Sequence, residues 1–388
     1  MPPRNPATGH FLTGPPAPTP RDPKTGHFLK PGQQAIQSVG SGAHLPTSTS
    51  DSTAQADTPR EAESPRLARL EAENARLAKL LGLVDSYRAG ARKPPEWLRP
   101  KTTAAPKAAT ACIQLSDLHL DEVVEPGQVG GLNAFNREIA EMRLRRWADK
   151  ACELGELHRH EWDGAIVWWG GDMVSGSIHD ELRETNADYL PGTLVHWAPL
   201  LAAAIKQVAD AYGNAHVPCV VGNHGRLTEK KQAKGRGRNS WDWLLCEMVK
   251  AHLASDERIT WDVSEGSYLF VPVYDRTVYL THGDEVGGGG GWAGVWSPLG
   301  TIHRRGLELG HAYDLRPSYS VVGHWHQTVL AHARGLVCNG ALKGWDEYAA
   351  GLRLRPEPAQ QNWWVETPSH GTTLAASLFL EDRAKEGW

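Results

Sequence analysis

The sequence predicts an α/β fold for residues 110–388, preceded by segments of a different kind. Helix-like segments, roughly Phe135 to His158 and Tyr189 to Tyr212, separate three apolar, strand-like runs. This β-α-β alternation is typical of strands that lie parallel in one sheet. Each apolar run also stops at polar residues. Because the carboxyl ends of parallel strands share one edge, and α/β proteins place their sites there, the pattern predicts a functional site at that edge.

Composition limits the class of protein. A chain of 388 residues usually forms two or three domains, or one large α/β domain with flexible segments. A net charge of -4 argues against a protein that coats nucleic acid, so any such contact must come from local patches. The five cysteines form no C-x-x-C pair, and Cys112 and Cys219, which lie in apolar strand-like runs, indicate reduced core thiols. No apolar run approaches the ~18 residues that span a bilayer, and the first residues lack a signal-peptide core, so we expect a cytoplasmic protein without membrane contact.

Residues 1–64 are predicted to be disordered. They are rich in Pro, Gly, Ser, Thr and Ala and have few large apolar residues, so burial cannot offset the entropy of ordering. The segment repeats the pattern R-[ND]-P-x-T-G-H-F-L, as RNPATGHFL from Arg4 and RDPKTGHFL from Arg21. The repeat is either a docking motif for an unknown partner, presented twice, or a duplicated turn without a partner.

Residues 65–86 predict a short coiled coil, followed by a Pro/Ala/Lys linker over residues 87–109. The apolar seam alternates steps of three and four residues and consists of Leu67, Leu70, Asn74, Leu77, Leu81 and Val84. A lone Asn at an a position favours a parallel dimer, so we expect a homodimer through Leu67–Val84. The alternative is an amphipathic helix that packs on the main domain.

Polar residues at the ends of the strand-like runs are the candidate site. They are Asp117, His119, Asp172, Asn223, His224, His282, His324 and His326. Taken singly, each is more often a cap, a turn or an ordinary strand residue. Together they supply oxygen and imidazole ligands without thiolates, a set that suits hard or borderline divalent ions such as Mn²⁺, Zn²⁺ or Fe²⁺.

The ordered blocks D-x-H, GD, GNH, H and G-H-x-H resemble the calcineurin-like metallophosphoesterase superfamily. The resemblance covers residues of about 111 to 345. It implies two packed mixed β-sheets flanked by helices, the four-layer metallophosphoesterase sandwich. It also implies two divalent metal ions, with Mn²⁺ favoured and Zn²⁺, Fe²⁺ and Mg²⁺ as alternatives.

The resemblance also implies a role for each polar residue. Asp117, His119 and His326 would bind one ion, Asn223, His282 and His324 would bind the other, and Asp172 would bridge them. His224 would protonate the leaving oxygen, which calls for a pKa near neutrality. The family commonly has an acidic residue after GNH, whereas this chain has Gly225.

Subfamily patterns narrow the resemblance. The V-D-R-G continuation of Ser/Thr protein phosphatases is missing after Asp172, and so is the nearby tyrosine of purple acid phosphatases, since the next one is Tyr189. The remaining types are SbcD-type DNA-repair exonucleases, including phage-encoded members, and phosphodiesterases of small nucleotides. A phage-encoded protein would act in the host cytoplasm.

Two loops bear on the substrate. Residues 226–238 contain six Lys/Arg against one acid, and we expect Arg226, Lys230 and Lys231 to bind substrate. Such a loop can track a polynucleotide backbone, or it can be merely a solvated charge run. The glycine run Gly287–Gly291 with Trp292 is either a lid, a stacking platform or a flexible turn.

The sequence therefore predicts a metal-dependent hydrolase of phosphodiester bonds. Its expected substrate is nucleic acid, cleaved as an exonuclease or an endonuclease. One alternative is a phosphodiesterase of small or cyclic nucleotides. Another is a catalytically inactive assembly protein that uses the tail and the coiled coil; the complete ligand set argues against it.

Overall fold

The fold is taken from a computed structural model, which describes residues 72–74, 94–100, 108–158, 160–288 and 294–388. The predicted tail, with its repeat, lies outside the described residues. So does most of the predicted coiled coil, of which residues 72–74 are described and are helical. The predictions for these two segments therefore stay predictions.

Six strands form the first sheet, in the order β11-β10-β1-β2-β3-β4. Their bounds are β1 Ala108–Leu115, β2 Glu161–Trp169, β3 Ala215–Cys219, β4 Ile259–Val263, β10 Gln360–Thr367 and β11 Gly371–Phe379. Strands β1 to β4 run parallel to one another, and β10 and β11 add an antiparallel edge. The parallel strands are buried and nearly continuous in apolar character, as strands covered on both faces are.

The second sheet has five strands, in the order β5-β6-β7-β9-β8. Their bounds are β5 Tyr268–Val273, β6 Arg276–Thr281, β7 Pro317–Val322, β8 Val329–Ala331 and β9 Leu336–Cys338. Strands β6, β7 and β9 are parallel, and the two outer strands pair antiparallel. Both sheets are therefore mixed.

Helices lie between many of the strands along the chain. Among the described residues they are α1 Arg137–His158, α2 Asp180–Thr185, α3 Leu190–Tyr212, α4 Trp241–His252, α5 Trp296–His311, α6 Glu347–Gly351 and α7 Arg383–Glu386. Within the part of the chain that the structure describes, none of the helices has both the length and the apolar character that crossing a bilayer requires.

The inner faces of the two sheets share one apolar core. Ile166 and Trp168 of β2 and Trp364 of β10 pack there with Val271 and Leu280 of the second sheet. The rings of Trp168 and Trp364 stack with centroids 6.0 Å apart. Helices α1, α3 and α4 pack on the outer face of the first sheet, and α5 packs on the outer face of the second. The predicted α/β class, with two mixed sheets flanked by helices, is confirmed.

Part of the predicted linker, residues 94–100, differs from the expectation of a plain connector. It forms a 3-10 turn at Glu96–Leu98, and Leu98 is completely buried in the core between the sheets. The backbone carbonyl of Leu98 accepts a hydrogen bond from Tyr274 N at 2.9 Å. The reason is the apolar pair Trp97 and Leu98. Leu98 is part of the apolar core between the sheets, and Trp97 packs against that core, which removes apolar surface from water.

Candidate metal centre

The predicted site residues follow five strands at their carboxyl ends. Strands β1, β2 and β3 are parallel neighbours in the first sheet, and β6 and β7 are parallel neighbours in the second. Asp117 follows β1, Asp172 follows β2, Asn223 follows β3, His282 follows β6, and His324 and His326 follow β7. The two packed sheets thus bring residues from distant parts of the chain to one edge.

Five of the seven predicted metal ligands adopt left-handed backbone angles. Their φ values are Asp117 54°, His119 47°, Asp172 50°, His324 71° and His326 52°. Residues other than glycine rarely adopt these angles, which cost about 1–3 kcal/mol each and persist where the surroundings demand them. The strain is concentrated where side chains must turn sharply from a strand end toward a common point.

The first cluster consists of Asp117, His119 and His326, whose ligand atoms lie within 4.8 Å of one another. The Nε2 atoms of His119 and His326 are 3.1 Å apart. His326 Nε2 lies 3.5 Å from Asp117 Oδ1. Asp117 is held by Ser116 Oγ, which donates to Oδ2 at 2.5 Å, and by the backbone N of His324, which donates to Oδ1 at 2.8 Å.

The second cluster consists of Asp172, His282 and His324, again with ligand atoms within 4.8 Å of one another. His282 Nδ1 donates to the Gly170 carbonyl at 2.9 Å, which leaves Nε2 facing Asp172 Oδ2 at 2.9 Å. Asn223 is 9% exposed, and its Oδ1 is buried without a hydrogen-bond partner among the described residues. A buried acceptor without a donor costs about 1–3 kcal/mol, and a metal ion would satisfy it.

Asp172 lies between the two clusters. It groups with His282 and His324 on one side and with His119 and His224 on the other. Gly222 makes this approach possible, because a Cβ at that position would lie 2.0 Å from Asp172 Oδ1. The carboxylate is therefore close to side chains of both clusters.

Burial and mutual repulsion govern the ionisation of the carboxylates. Burial raises the pKa of Asp117 to about 6, with His282 lowering it and Asp172 raising it. Burial also acts to raise the pKa of Asp172, but His282 and His224 hold it well below its usual range. For His282, burial lowers the pKa, yet the Asp172 carboxylate outweighs it and raises the pKa to about 10. A buried anion at Asp172 thus attracts cations to the centre.

His224 is neutral at pH 7 in this structure, which differs from the expected pKa near neutrality. Burial lowers its pKa to about 4, although Asp172 acts to raise it. Its Nδ1 donates to the Ser175 carbonyl at 2.9 Å, so Nε2 is the ring atom that is free of this bond. Its backbone N donates to Asp172 Oδ1 at 2.7 Å. The imidazole ring lies edge-on to His119, with centroids 4.5 Å apart.

The donors in both clusters fit divalent ions. Nitrogen and oxygen donors without thiolates suit Mn²⁺, Zn²⁺ or Fe²⁺. A cation in the first cluster would bind the facing Nε2 atoms of His119 and His326, which lie 3.1 Å apart. A cation in the second cluster would satisfy the buried Asn223 Oδ1. The protein therefore has buried Asp and His groups that could bind metal.

Sequence reasoning missed a buried charge network behind His119. Glu122 Oε2 lies 3.1 Å from His119 Nδ1, at ion-pair distance but without a hydrogen bond between the two atoms. An acid next to the second ring nitrogen can orient an imidazole that binds a metal. Lys343 Nζ contacts Glu122 Oε1 at 2.8 Å and also pairs with Asp346. Burial acts to raise the pKa of Glu122, but Lys343 and His119 hold it well below its usual range. The available sequence signal for Glu122 was its position three residues after His119. No such local signal existed for Lys343, because it lies 221 residues after Glu122 in the chain.

The basic loop lies against the second cluster, and its cations differ in their surroundings. Arg226 donates to the Asn223, Thr228 and Glu229 carbonyls at 2.8, 3.1 and 3.1 Å, so it holds the loop's own backbone. Lys231 contacts Asp284 Oδ2 at 3.0 Å. Lys230 is exposed.

Asp284 fixes the basic loop to the end of β6. It pairs with Lys231 and Arg236, and it is 7% exposed. Burial acts to raise its pKa, but His282, Arg236 and Lys231 lower it to about 2. A cleft beside Asn223 is lined by Arg226, Lys231, Lys234 and Arg236.

The predicted glycine-rich loop falls partly outside the described residues. Residues 289–293, which include Gly289 to Gly291 and Trp292, are not described, so its predicted roles stay predictions. Trp325 Nε1 donates to the Gly288 carbonyl at 3.1 Å at the described end of this loop.

No protein-family model matches the chain, and no curated protein matches it either.

Proposed function

We propose that this protein is a two-metal phosphoesterase of the calcineurin-like metallophosphoesterase type, with the four-layer sandwich of that superfamily, and that it hydrolyses phosphodiester bonds in nucleic acid. The observation that carries the proposal is the pair of buried Asp/His clusters with Asp172 between them. The order of the five sequence blocks supports the same type.

Asp117, His119 and His326 would hold one ion, and Asn223, His282 and His324 the other, with Asp172 in contact with both. Mn²⁺ is the favoured ion. A bound pair of divalent ions would neutralise the charge of a phosphoryl group and activate water for its hydrolysis. The protein's contribution is to orient the ligands: Gly170 fixes the tautomer of His282, and Glu122 orients His119.

His224 is the proposed proton donor to the leaving oxygen. Its Nδ1–H is committed to the Ser175 carbonyl, so a proton on Nε2 is the transferable one. Burial keeps the imidazole neutral, but a phosphoryl anion beside Nε2 would favour the charged form and raise the pKa from about 4. Substrate binding would then favour uptake of a proton from solvent on Nε2, and the charge of Asp172 would stabilise the imidazolium.

The basic loop favours nucleic acid as the substrate. Arg226, Lys231, Lys234 and Arg236 line the cleft beside Asn223, and Lys230 and Lys234 are exposed. Among the described residues, neither Lys230 nor Lys234 has an acidic partner within ion-pair distance, whereas Lys231 and Arg236 share Asp284 as a partner. Lys234 in the cleft beside Asn223 and the exposed Lys230 on the same loop suit a backbone with successive phosphates.

The test is a metal-dependent activity screen on the full chain. Protein loaded with Mn²⁺ is given single- and double-stranded DNA, RNA, cyclic nucleotides and a bis-aryl phosphate. We expect release of nucleotides from DNA, and a loss of about 10²–10⁴-fold in rate for His224→Ala with metal content unchanged. His303→Gln, a half-buried histidine on α5, is the matched control.

Three outcomes discriminate between the candidate functions. Cleavage of cyclic nucleotides with DNA untouched would move the assignment to a small-nucleotide phosphodiesterase. A folded protein that binds metal and cleaves none of these substrates would favour the assembly role. Unchanged metal content and activity in Asp172→Asn would remove the site assignment altogether.

A further inference from the structure

Asp242 is a buried acid that the metal chemistry does not use directly. It lies in the first turn of α4 and is completely buried. Its carboxylate accepts four backbone N–H groups, from Asp172 and Gly222 at 2.9 Å each on Oδ2 and from Met173 and Val174 at 3.1 and 3.3 Å on Oδ1. Hydrogen bonds to an ionised acceptor are roughly twice as strong as neutral ones.

The four amides belong to two different loops. Asp172, Met173 and Val174 follow β2, whereas Gly222 follows β3 and directly precedes Asn223. A single carboxylate therefore joins the loop of the bridging Asp172 to the loop of Asn223 and His224. No other buried side chain among the described residues is seen to bond to the backbone of both loops.

Gly225 leaves room for this carboxylate. A Cβ at position 225 would lie 2.8 Å from both Cγ and Oδ1 of Asp242, which is closer than side chains tolerate. The backbone carbonyl of Gly225 also accepts from Trp241 N at 2.7 Å, at the start of α4. Any side chain at 225 would therefore compete with Asp242 for the same space.

We propose that Asp242 is a positioning residue that sets the spacing between the Asp172 and Asn223 loops, and through it the distance between the two metal ions. The inference rests on the proposed function. It makes helix α4 part of the metal centre, although no residue of α4 is a proposed ligand.

Asp242→Asn is the first test. It keeps the shape but leaves one acceptor oxygen for four donors, and it places an NH₂ group against two backbone N–H groups. We expect apparent affinity for Mn²⁺ to fall about 10–100-fold, as for other partners that orient ligands. The exchange-coupled electron paramagnetic resonance signal of a Mn²⁺ pair should also weaken. Glu366→Gln, a buried and hydrogen-bonded carboxylate on β10, should leave both unchanged.

A relocated carboxylate is the second test. Gly225→Asp alone should lose metal through its clash with Asp242, and Asp242→Ala alone should lose it through the missing acceptor. The double variant Gly225→Asp/Asp242→Ala attaches a carboxylate to a Cβ that would lie 2.8 Å from the vacated Cγ and Oδ1 positions, and we expect it to recover metal affinity and the coupled signal relative to either single variant. Circular dichroism and the melting temperature are recorded for each protein.

The outcomes separate this inference from the proposed function. Wild-type protein that binds no divalent ion would overturn the proposed function itself. If the wild-type protein binds two ions and Asp242→Asn keeps both, with its coupled signal, the function stands and Asp242 has no positioning role. The positioning role is equally wrong if the Asp242 variants fail to fold and the double variant does too, because the carboxylate then serves the fold alone.

Discussion

His119 and His326 face each other through Nε2 atoms 3.1 Å apart, although 207 residues separate them in the chain. Both ring nitrogens point at the same small space, together with Asp117. A cation bound by all three side chains would account for this arrangement under the proposed function. We expect His326→Ala to reduce bound Mn²⁺ from about two equivalents to about one, by elemental analysis of the dialysed protein. His303→Gln should retain both, and two retained equivalents in His326→Ala would remove His326 from the ligand set.

Glu122 should tune the affinity of the first ion without binding it. Glu122→Gln keeps the size but replaces a buried anion beside His119 Nδ1 with a neutral amide. Loss of such a partner typically lowers metal affinity about 10–100-fold. Competition with a chromophoric chelator measures the change. Glu141→Gln, whose partner His196 lies on the outer helices, is the control and should change nothing.

Lys343 should matter for stability because two buried acids depend on it. Lys343→Met removes the cation that pairs with Glu122 and Asp346. The side chains of these two acids are only 8% and 5% exposed. Breaking a buried pair this way costs about 3–5 kcal/mol. Urea unfolding in the presence of a chelator measures the free energy of unfolding. The exposed pair Lys206–Asp210 gives the comparison, since Lys206→Met should cost less than about 1 kcal/mol.

His216 should make stability depend on pH. It is buried on β3, burial lowers its pKa to about 4, and the Thr260 hydroxyl is its partner at 2.9 Å. An unfolded histidine titrates near 6.5, so below that pH the unfolded chain binds more protons. The free energy of unfolding should therefore be unaffected by His216 above about pH 6.5 and fall by about 3 kcal/mol as pH drops to 4.

The measurement for His216 is urea unfolding between pH 4 and pH 7, in wild type and in His216→Gln. The difference between the two curves isolates the contribution of this group. His370→Gln, at an exposed turn, should follow the wild-type curve. Parallel curves for wild type and His216→Gln would contradict the prediction.

The exposed lysines of the basic loop should set the salt dependence of DNA binding. In a His224→Ala background, in which cleavage should be about 10²–10⁴-fold slower, Lys230→Ala/Lys234→Ala should lower the slope of log K against log salt by about 1.4 for single strands, or about 0.7 per lost contact. The control is the double variant Lys150→Ala/Lys206→Ala, which also removes two lysines but from helices α1 and α3, away from the basic loop. An equal change in both double variants would show that the loop contributes only general charge.

Much of the candidate site follows from local sequence signals, because each polar residue stands directly after an apolar strand. Asp172 after β2 and Asn223 after β3 are examples: parallel neighbours must deliver such residues to one edge. The class of fold was predictable for the same reason. The proposed identity of the chemistry depends on the order of the blocks as well as on their residue types.

The residues that hold the ligands in place were not predictable in this way. Asp242 reads in the sequence as an ordinary acid in a helix's first turn, where it complements the helix dipole. Asp284 pairs with Arg236 only because β6 of the second sheet ends beside a loop of the first. Such contacts depend on how the two sheets pack against each other. The local pattern of a sequence does not show which distant residues that packing brings together.

The buried position of Leu98 limits where a stable fragment of the chain can begin. This side chain is buried in the apolar core between the two sheets. Burying a leucine contributes about 1.5–3 kcal/mol to the free energy of unfolding. A fragment that begins at residue 110 would lack Leu98 and the first residues of β1. A fragment that is to keep this contact, whether joined to a different tail or exchanged by recombination, therefore has to begin before Leu98.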